Sequence, residues 1–338
     1  MAKYVDLIEV WRGDFLECVH RGHAVVCDHN GDVIAQWGDS DAIILPRSSC
    51  KMLQALPLIE SGAAEKFGLN ASQLALSCAS HQGAKIHVNA VESWLGDIGL
   101  AEQDLRCGPQ CTADLDYRSE MIRAGDKPDQ RHNNCSGKHA GFLTLNKHLG
   151  GGSEYIEFNH PVQKAIVQAT QDMAGEDISG HVIDGCSAPN LAISLRGLAM
   201  AMARMGKPVS DMGIARGNAA RALTAAMAEF PELVAGEGRA CTELMRAMNN
   251  GTVVKTGAEG VFTAILPERG LGVALKIADG ATRASEAAMA ALLVRLGVAD
   301  ENHPMVQKRL NPADKNRRDI VTGHIRPADM FFENGSPI

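Results

Sequence analysis

Aromatic residues are scarce in this sequence, at 4% of 338 residues. Basic residues are in the minority as well, since 33 Lys and Arg face 40 Asp and Glu and give a net charge of −7. Proteins that bind nucleic acids need a basic surface for the phosphates and, for single strands, aromatic rings on which bases stack. We therefore expect no nucleic-acid partner.

Long apolar runs are also missing. No stretch reaches the roughly 20 apolar residues that a membrane-spanning helix requires, and the first ten residues carry charges inside their apolar run, unlike a cleavable signal peptide. We expect a cytoplasmic protein without a membrane partner. Cysteine, by contrast, is plentiful, and nine cysteines in such a chain suggest reduced thiols used for metal binding or catalysis rather than disulfides.

Both ends of the chain carry patterns typical of β-strands. Short apolar runs bounded by turn residues predict strands at 5–10, 24–27, 33–37, 252–255, 261–266 and 273–277. The dipeptide Asn30-Gly31 lies between two of these runs, and both residues tolerate positive φ, which indicates a tight hairpin. The short glycine-bearing connections near the C-terminus likewise predict antiparallel pairing.

Helical patterns prevail between these ends, from about residue 47 to 250. Asn70 is a good N-cap for a helix through Ser77, and Pro161 suits the first turn of another helix. Stretches rich in Ala, Leu and Met predict further helices at 190–205 and 209–229. This region therefore reads as a helical insertion.

One more helix, predicted at 282–296, follows the second group of strands. We interpret the final segment as irregular because it contains Pro304, Pro312, Pro327 and Pro337. Strands at both ends with helices between them predict an α+β fold, with an antiparallel sheet that is formed by both ends of the chain and flanked by helices. We expect a single domain that spans 1–338, with the helical region inserted between the two sheet-forming ends.

Ser48 and Lys51 are spaced three residues apart at the predicted start of a helix, a spacing that places two side chains on one face. A serine hydroxyl is a weak nucleophile unless a base lies within hydrogen-bond reach, and a neutral lysine can be that base. With an ordinary pKa near 10.4, only about one lysine in a thousand is neutral around pH 7.5, so burial or a second cation must lower the value. Taken alone, the pair is also compatible with an N-cap serine beside a solvated lysine.

The stretch Asn133 to His139 is unusually dense in reactive side chains. It holds the Cys135 thiol, the Lys138 amine and the His139 imidazole just before a predicted helix, whose dipole would stabilise a thiolate. A second turn offers Asp184 and Cys186. Two separated cysteines do not define a zinc site by spacing, because ordinary sites need four ligands or three and water.

Lys255-Thr256-Gly257 ends one of the late strands. A Ser-x-x-Lys pair early in the chain and Lys-Thr-Gly on a late strand occur together in penicillin-recognising serine hydrolases. The combination favours a functional role for Ser48 and Lys51, although a strand-end turn alone would also explain Lys-Thr-Gly.

Several stretches together resemble the type II L-asparaginase family similar to the Rhizobium asparaginases. They occur in the family's order along most of the chain, and the Cys-Ser-Gly-Lys-His stretch is the most specific of them. The matching stretches are Arg47-Ser48-Ser49-Cys50-Lys51, Cys78-Ala79-Ser80-His81, Asn134-Cys135-Ser136-Gly137-Lys138-His139, Asp184-Gly185-Cys186, Lys255-Thr256-Gly257 and Lys276-Ile277-Ala278-Asp279-Gly280.

The resemblance implies a serine β-lactamase-like fold, a homodimer, and hydrolysis of L-asparagine to aspartate and ammonia. It implies two catalytic pairs, Ser48 with Lys51 and Ser80 with Lys255. On this basis we expect a covalent β-aspartyl intermediate on Ser48, with Ser80 as the alternative nucleophile.

The resemblance further implies a zinc ion held by Cys135, Lys138 and Cys186. A lysine ligand must lose its proton before it can bind a metal. The family match also predicts substrate-binding roles near this site, for Arg47, His139, Asp184 and Cys241.

One position departs from the family pattern, because Ala84 stands where the family tends to carry a glutamate. A missing carboxylate could change metal affinity or substrate preference. Other activities remain open at this level: a glutaminase, a β-lactam or peptide hydrolase on the same fold, or a non-catalytic protein that binds zinc or an amino acid.

Overall fold

The computed structural model describes residues 4–333 and 338. The chain divides into two compact units. We call them the sheet unit, which comprises Met1–Ser49, Ile193–Lys207 and Glu243–Ile338, and the helical unit, which comprises Cys50–Ala192 and Pro208–Thr242. The expectation of a single domain stays a prediction.

The strands are as follows: β1 Val5–Arg12, β2 Phe15–Asp28, β3 Val33–Trp37, β4 Ile43–Ile44, β5 Gly180–Ile183, β6 Pro189–Ser194, β7 Val253–Thr256, β8 Val261–Leu266, β9 Leu271–Ile277, β10 Ala313–Lys315 and β11 Val321–Pro327. The α-helices are α1 Lys51–Glu60, α2 Ala63–Lys66, α3 Ala71–Ser77, α4 Lys85–Asp97, α5 Leu115–Ala124, α6 Ser136–Leu149, α7 Pro161–Ala174, α8 Leu195–Gly206, α9 Ile214–Glu229, α10 Pro231–Val234, α11 Ala240–Met248, α12 Thr282–Arg295, α13 Pro304–Leu310 and α14 Asp329–Phe332. Short 3₁₀ turns occupy Arg47–Cys50, Glu102–Asp104, Gln130–His132 and Ser210–Met212.

An antiparallel sheet organises the sheet unit, in the order β10-β11-β1-β2-β9-β8-β7, with β3 also paired to β2. Strands from the N-terminal end therefore pair with strands from the C-terminal end, which confirms the predicted α+β architecture. Helices α8 and α12 pack on this sheet. Helix α8 approaches β9 so closely that a Cβ on Gly272 would collide with the backbone of Ala199 and Ala203.

The helical unit is built around α6, in which Ser136 through Asn146 are all buried. Helix α1 packs against α6, α7 and α9, and α3 packs against α6 and α9. Trp94 and Tyr155 are the largest buried side chains in the core around α6. Because α6 is buried along most of its length, polar side chains at its first turn are held away from water.

Several caps and turns form where the sequence predicts them. Asn70 caps α3 in a capping box with Gln73, and Pro161 occupies the first turn of α7. The turn that contains Asn30 and Gly31 connects β2 with β3. Within the described residues, no helix is both long and apolar enough to cross a membrane.

Two of the predicted helices begin later than expected. The segment 190–194 is not helical but belongs to β6, whose residues pair with β5 and with β4, and α8 begins only after Ser194, whose side chain caps it. The helix predicted from residue 209 begins at Ile214, because Gly213 has φ +79° and interrupts it.

The prediction of an irregular final segment was wrong. Pro304 lies in the first turn of α13 and Pro327 ends β11, two places where a missing backbone N–H is tolerated. Strand β11 pairs with both β1 and β10. Pro337 lies outside the described residues.

Candidate active site

The four residues of the predicted Ser-Lys pairs are divided between the units. Ser48 and Lys255 belong to the sheet unit, whereas Lys51 and Ser80 belong to the helical unit. The pairings of Ser48 with Lys51 and of Ser80 with Lys255 therefore stay predictions.

Ser48 lies in a tight turn before α1 and is half-buried. Pro46 O accepts hydrogen bonds from the backbone N and the side-chain Oγ of Ser49, at 3.2 and 2.8 Å. Arg47 has φ +55°, a left-handed conformation that is unusual for a non-glycine residue and costs about 1 kcal/mol or more. The surrounding structure therefore imposes the shape of this turn.

Lys255 is almost completely buried on β7, at 1% exposure. Its Nζ atom donates to Thr256 O at 2.9 Å. The Lys-Thr-Gly stretch thus ends a strand, as the sequence predicts, and its lysine points into the protein rather than into solvent.

Lys51 is the first residue of α1 and is also 1% exposed. Its amine donates to Ala79 O and, at 3.4 Å, to Asn134 O. Ala79 precedes Ser80 in the chain, and Asn134 precedes Cys135. A single buried amine therefore connects the segment that carries Ser80 with the segment that carries the predicted metal ligands.

Ser80 follows α3 and is 5% exposed. Its backbone N donates to Val234 O at 2.8 Å, and Gln82 N donates to Ala235 O at 3.0 Å. These two bonds fix the backbone on both sides of His81.

His81 links the Ser80 segment to the start of α6. Its Nδ1 accepts from Gly83 N, so Nε2 carries the proton and donates to Ser136 Oγ at 2.9 Å. The neighbouring His87 is arranged in the same way, since its Nδ1 accepts from Ala84 N and its Nε2 lies 2.9 Å from Glu232 O. Burial lowers the pKa of both imidazoles, which keeps them neutral.

The structure brings the three predicted zinc ligands together in the helical unit. Cys135 is the N-cap residue of α6, Lys138 lies in its first turn, and Cys186 lies in the turn between β5 and β6. Lys138 Nζ is 3.1 Å from Cys186 Sγ. A hydrogen bond with Cys135 and the positive charge of Lys138 lower the pKa of the Cys186 thiol.

The Cys186 thiolate shifts the pKa values of Cys135 and Lys138. The pKa of Cys135 is raised by its hydrogen bond with Cys186 and by burial. Burial acts to lower the pKa of Lys138, but its interactions with the sulfur atoms of Cys186 and Cys135 outweigh burial and raise the value. The Lys138 ammonium also lies 5.3 Å from the centre of the Phe142 ring.

The donor set of this cluster fits zinc, which binds thiolate sulfur and nitrogen. The described residues contain no group of three His, Cys, Asp or Glu side chains able to hold a metal, so a metal here would need the Lys138 amine beside the two thiols. His139 gives a second indication that this cluster could bind a further group. Its Nε2 atom is buried and makes no hydrogen bond among the described residues, although the Cys186 thiolate is near enough to act on its pKa.

The predicted substrate-binding residues have different exposures. Arg47 and Asp184 are half-buried, whereas His139 and Cys241 are buried. The charge of Asp184 raises the pKa of Lys138, which places it close to the cysteine and lysine cluster. Their roles in substrate binding stay predictions.

Tyr155 is a member of this environment that no sequence motif indicates. Its hydroxyl accepts from Arg106 N at 2.8 Å and lies 2.8 Å from His139 Nδ1. The Tyr155 hydroxyl therefore connects the backbone of Arg106 with the His139 imidazole. Tyr155 lies in a loop after α6, and only the fold reveals its contact with His139.

Comparison with known proteins identifies a family model described as L-asparaginase II, which matches residues 8–327. No curated protein sequence matches the chain. Similar solved structures include a β-lactamase from Mycobacterium bovis, 16% identical, which covers 78% of this chain and 89% of its own with a TM-score of 0.42. Another is a putative β-lactamase from Bacteroides dorei, 12% identical, which covers 76% of this chain and 84% of its own with a TM-score of 0.43.

Proposed function

The chain belongs to the L-asparaginase II family, whose model covers residues 8–327, and we propose that it hydrolyses the side-chain amide of L-asparagine to L-aspartate and ammonia. The family match supports an asparaginase-type amidohydrolase and confirms the resemblance inferred from the sequence motifs. This match is the observation that carries the proposal, because the matched region includes both serines and both lysines of the predicted pairs.

In the first half of the proposed reaction, Ser48 Oγ attacks the side-chain amide carbon while a neutral Lys51 amine accepts the hydroxyl proton. The carbon–nitrogen bond then breaks, the nitrogen receives a proton and leaves as ammonia, and a β-aspartyl ester remains on Ser48. Backbone N–H groups near Ser48 would stabilise the negative oxygen, an effect of about 3 kcal/mol per donor. Lys51 is 1% exposed, so its amine is shielded from bulk solvent, as this role requires.

Ser80 and Lys255 deliver the proton to the nitrogen as it leaves, and in the second half of the reaction they accept a proton from an attacking water molecule. The water attacks the ester carbon, the bond to Ser48 Oγ breaks as the Lys51 ammonium returns its proton to that oxygen, and L-aspartate is released. Ser80 and Lys255 are 5% and 1% exposed, so both groups are shielded from bulk solvent, as a controlled proton transfer requires. Ser80 is the alternative first nucleophile.

We further propose that Cys135, Lys138 and Cys186 hold a zinc ion. Zinc at this position would supply a positive charge that orients the α-amino and α-carboxylate groups of the substrate. The Cys186 thiolate and the short Lys138 to Cys186 distance support binding of a cation between these side chains. Lys138 must release its proton to the solvent for this purpose.

Arg47, His139, Asp184 and Cys241 complete the proposal as substrate-binding residues. Asp184 is half-buried and could pair with the α-ammonium group of the substrate, while Arg47 could pair with a carboxylate. We also propose a homodimer, to be tested by analytical ultracentrifugation. A monomer at all protein concentrations would contradict it.

The competing activities differ from the proposal in their substrates. Glutamine is longer than asparagine by one methylene, and one methylene gives only about 10 to 200-fold discrimination, so a weak glutaminase activity is compatible with the proposal. If the enzyme hydrolyses glutamine or a chromogenic β-lactam faster than asparagine, that activity replaces the proposed one. Binding of asparagine without turnover would instead indicate a non-catalytic binding protein.

Ammonia release from asparagine tests the proposal directly. Ser48→Ala and Lys51→Met should each lower kcat at least about 100-fold, the usual scale for loss of a nucleophile or a general base. Lys147→Met is a matched control, because Lys147 also donates to a backbone carbonyl of the helical unit, Ile98 O at 2.6 Å. Ser48→Ala activity above about a tenth of wild type would contradict the assignment of the nucleophile.

A further inference from the structure

Thr263 lies in the middle of β8 and is completely buried. Its hydroxyl faces two backbone carbonyls, Ser49 O at 3.1 Å and Lys255 O at 3.2 Å. The first carbonyl belongs to the residue after Ser48, and the second belongs to a residue directly opposite Thr263 in the β7–β8 register. One side chain therefore contacts the backbone of two segments that carry predicted catalytic groups.

The position of Thr263 in a strand restricts the movement of its hydroxyl relative to the two carbonyls. Threonine is branched at Cβ, so its χ1 rotation is restricted, and the β7–β8 pairing fixes its backbone. Because the hydroxyl has one proton, the two carbonyls share a single donor. Residues 46–49 form the turn that carries Ser48, which we call the Ser48 turn. Movement of this turn away from β7 would stretch or break the shared hydrogen bond.

A second contact holds the same two segments together. Gly257 follows β7, and a Cβ on this glycine would lie 2.6 Å from Pro46 O and 3.3 Å from Ser49 Cβ. Its backbone N is bonded to Val261 O at 2.7 Å, which anchors it to the first residue of β8. The Ser48 turn therefore packs directly against the end of the β7–β8 pair.

We propose that Thr263 is a positioning residue that fixes the Ser48 turn relative to Lys255. The inference rests on the proposed function, in which Ser48 is the nucleophile and Lys255 moves a proton. Thr263 does not touch the reacting atoms. It sets the place from which Ser48 Oγ attacks, and a misplacement of about 1 Å can reduce a rate roughly 100-fold.

Removal of the hydroxyl at constant side-chain volume tests the proposal. Thr263→Val should lower kcat for asparagine about 10 to 100-fold and change KM less, because His139, Asp184 and Cys241 lie outside the Ser48 turn and only Arg47 would move with it. Thr263→Ser retains the hydroxyl and should keep kcat within about threefold of wild type. Ser285→Ala is the matched control, since it removes another buried hydroxyl of the sheet unit, one that donates to Thr282 O in α12.

A purely structural role for Thr263 predicts a different result. Thr263→Val and Ser285→Ala would then both lower the urea midpoint and leave kcat of the folded enzyme unchanged, which would overturn the proposal. Equal loss of kcat in Thr263→Val and Thr263→Ser would overturn it as well. If Thr263→Val does not fold, Gly257→Ala gives an independent answer, because the added methyl group pushes the Ser48 turn from β7 and should lower kcat too.

Labelling of Ser48 by a fluorophosphonate separates this inference from the proposed substrate. If the wild type releases no ammonia from asparagine but is labelled at Ser48, the proposed function fails, and slower labelling of Thr263→Val than of Thr263→Ser still supports positioning by Thr263. Equal labelling rates of the two variants contradict it. If the wild type shows neither ammonia release nor labelling, both proposals fail, because no reactive Ser48 is present to be positioned.

Discussion

The imidazole rings of His81 and His87 stack face to face in the helical unit, with centroids 4.6 Å apart and planes inclined by 7°. Burial lowers the pKa of both, and the nearby charges of His87 and Lys51 lower that of His81 further. In the unfolded chain both histidines return to a pKa near 6.5, so below that pH the unfolded state binds more protons than the folded state. We expect the free energy of unfolding to decrease as the pH falls below about 6.5, by at most about 1.4 kcal/mol per pH unit for each histidine.

Urea denaturation at several pH values between about 5 and 8 measures this dependence. His87→Gln should reduce the slope of stability against pH, because it removes one of the two groups that must be protonated on unfolding. The exposed His181 provides the control variant, His181→Gln. An identical slope in wild type and His87→Gln would rule out a contribution from the stacked pair.

Much of the fold follows from local sequence signals. The Asn30-Gly31 hairpin and the Asn70 cap depend on residues within a few positions of each other, and both form as predicted. Segment 190–194 has a composition that suits a helix, yet it pairs with β4 and β5. Pairing with distant strands also gives the final segment its structure, since β11 pairs with β1. Sequence patterns do not reveal partners so far apart in the chain.

In the candidate site, too, local motifs predict some residues, whereas others depend on contacts between distant segments. Motifs indicate Cys135, Lys138 and Cys186, and the structure places them together. Thr263, by contrast, reads in the sequence as one polar residue inside an apolar strand. Its importance comes from the register of β7 and β8, which no local pattern specifies.

The Cys135, Lys138 and Cys186 cluster makes zinc content measurable without an activity assay. Protein purified without added metal should contain zinc by elemental analysis, and Cys135→Ser should lose most of it. Cys111→Ser is the control, because Cys111 is exposed. Since Lys138 and Cys135 release protons on binding, zinc affinity should fall as the pH is lowered. Equal zinc content in Cys135→Ser and Cys111→Ser would contradict the assigned ligands.

The close approach of α8 to β9 gives a prediction about stability. A methyl group at Gly272 would collide with the backbone of Ala199 and Ala203, and backbone atoms cannot move aside as a flexible side chain can. Gly272→Ala should therefore lower the free energy of unfolding by about 1 to 3 kcal/mol, measured by urea denaturation. Gly96→Ala is the matched control: Gly96 lies in α4 with nothing near its missing Cβ, so alanine there should be neutral or stabilising, by up to about 1 kcal/mol. Equal stability of the two variants would show that α8 can shift away from the sheet at little cost.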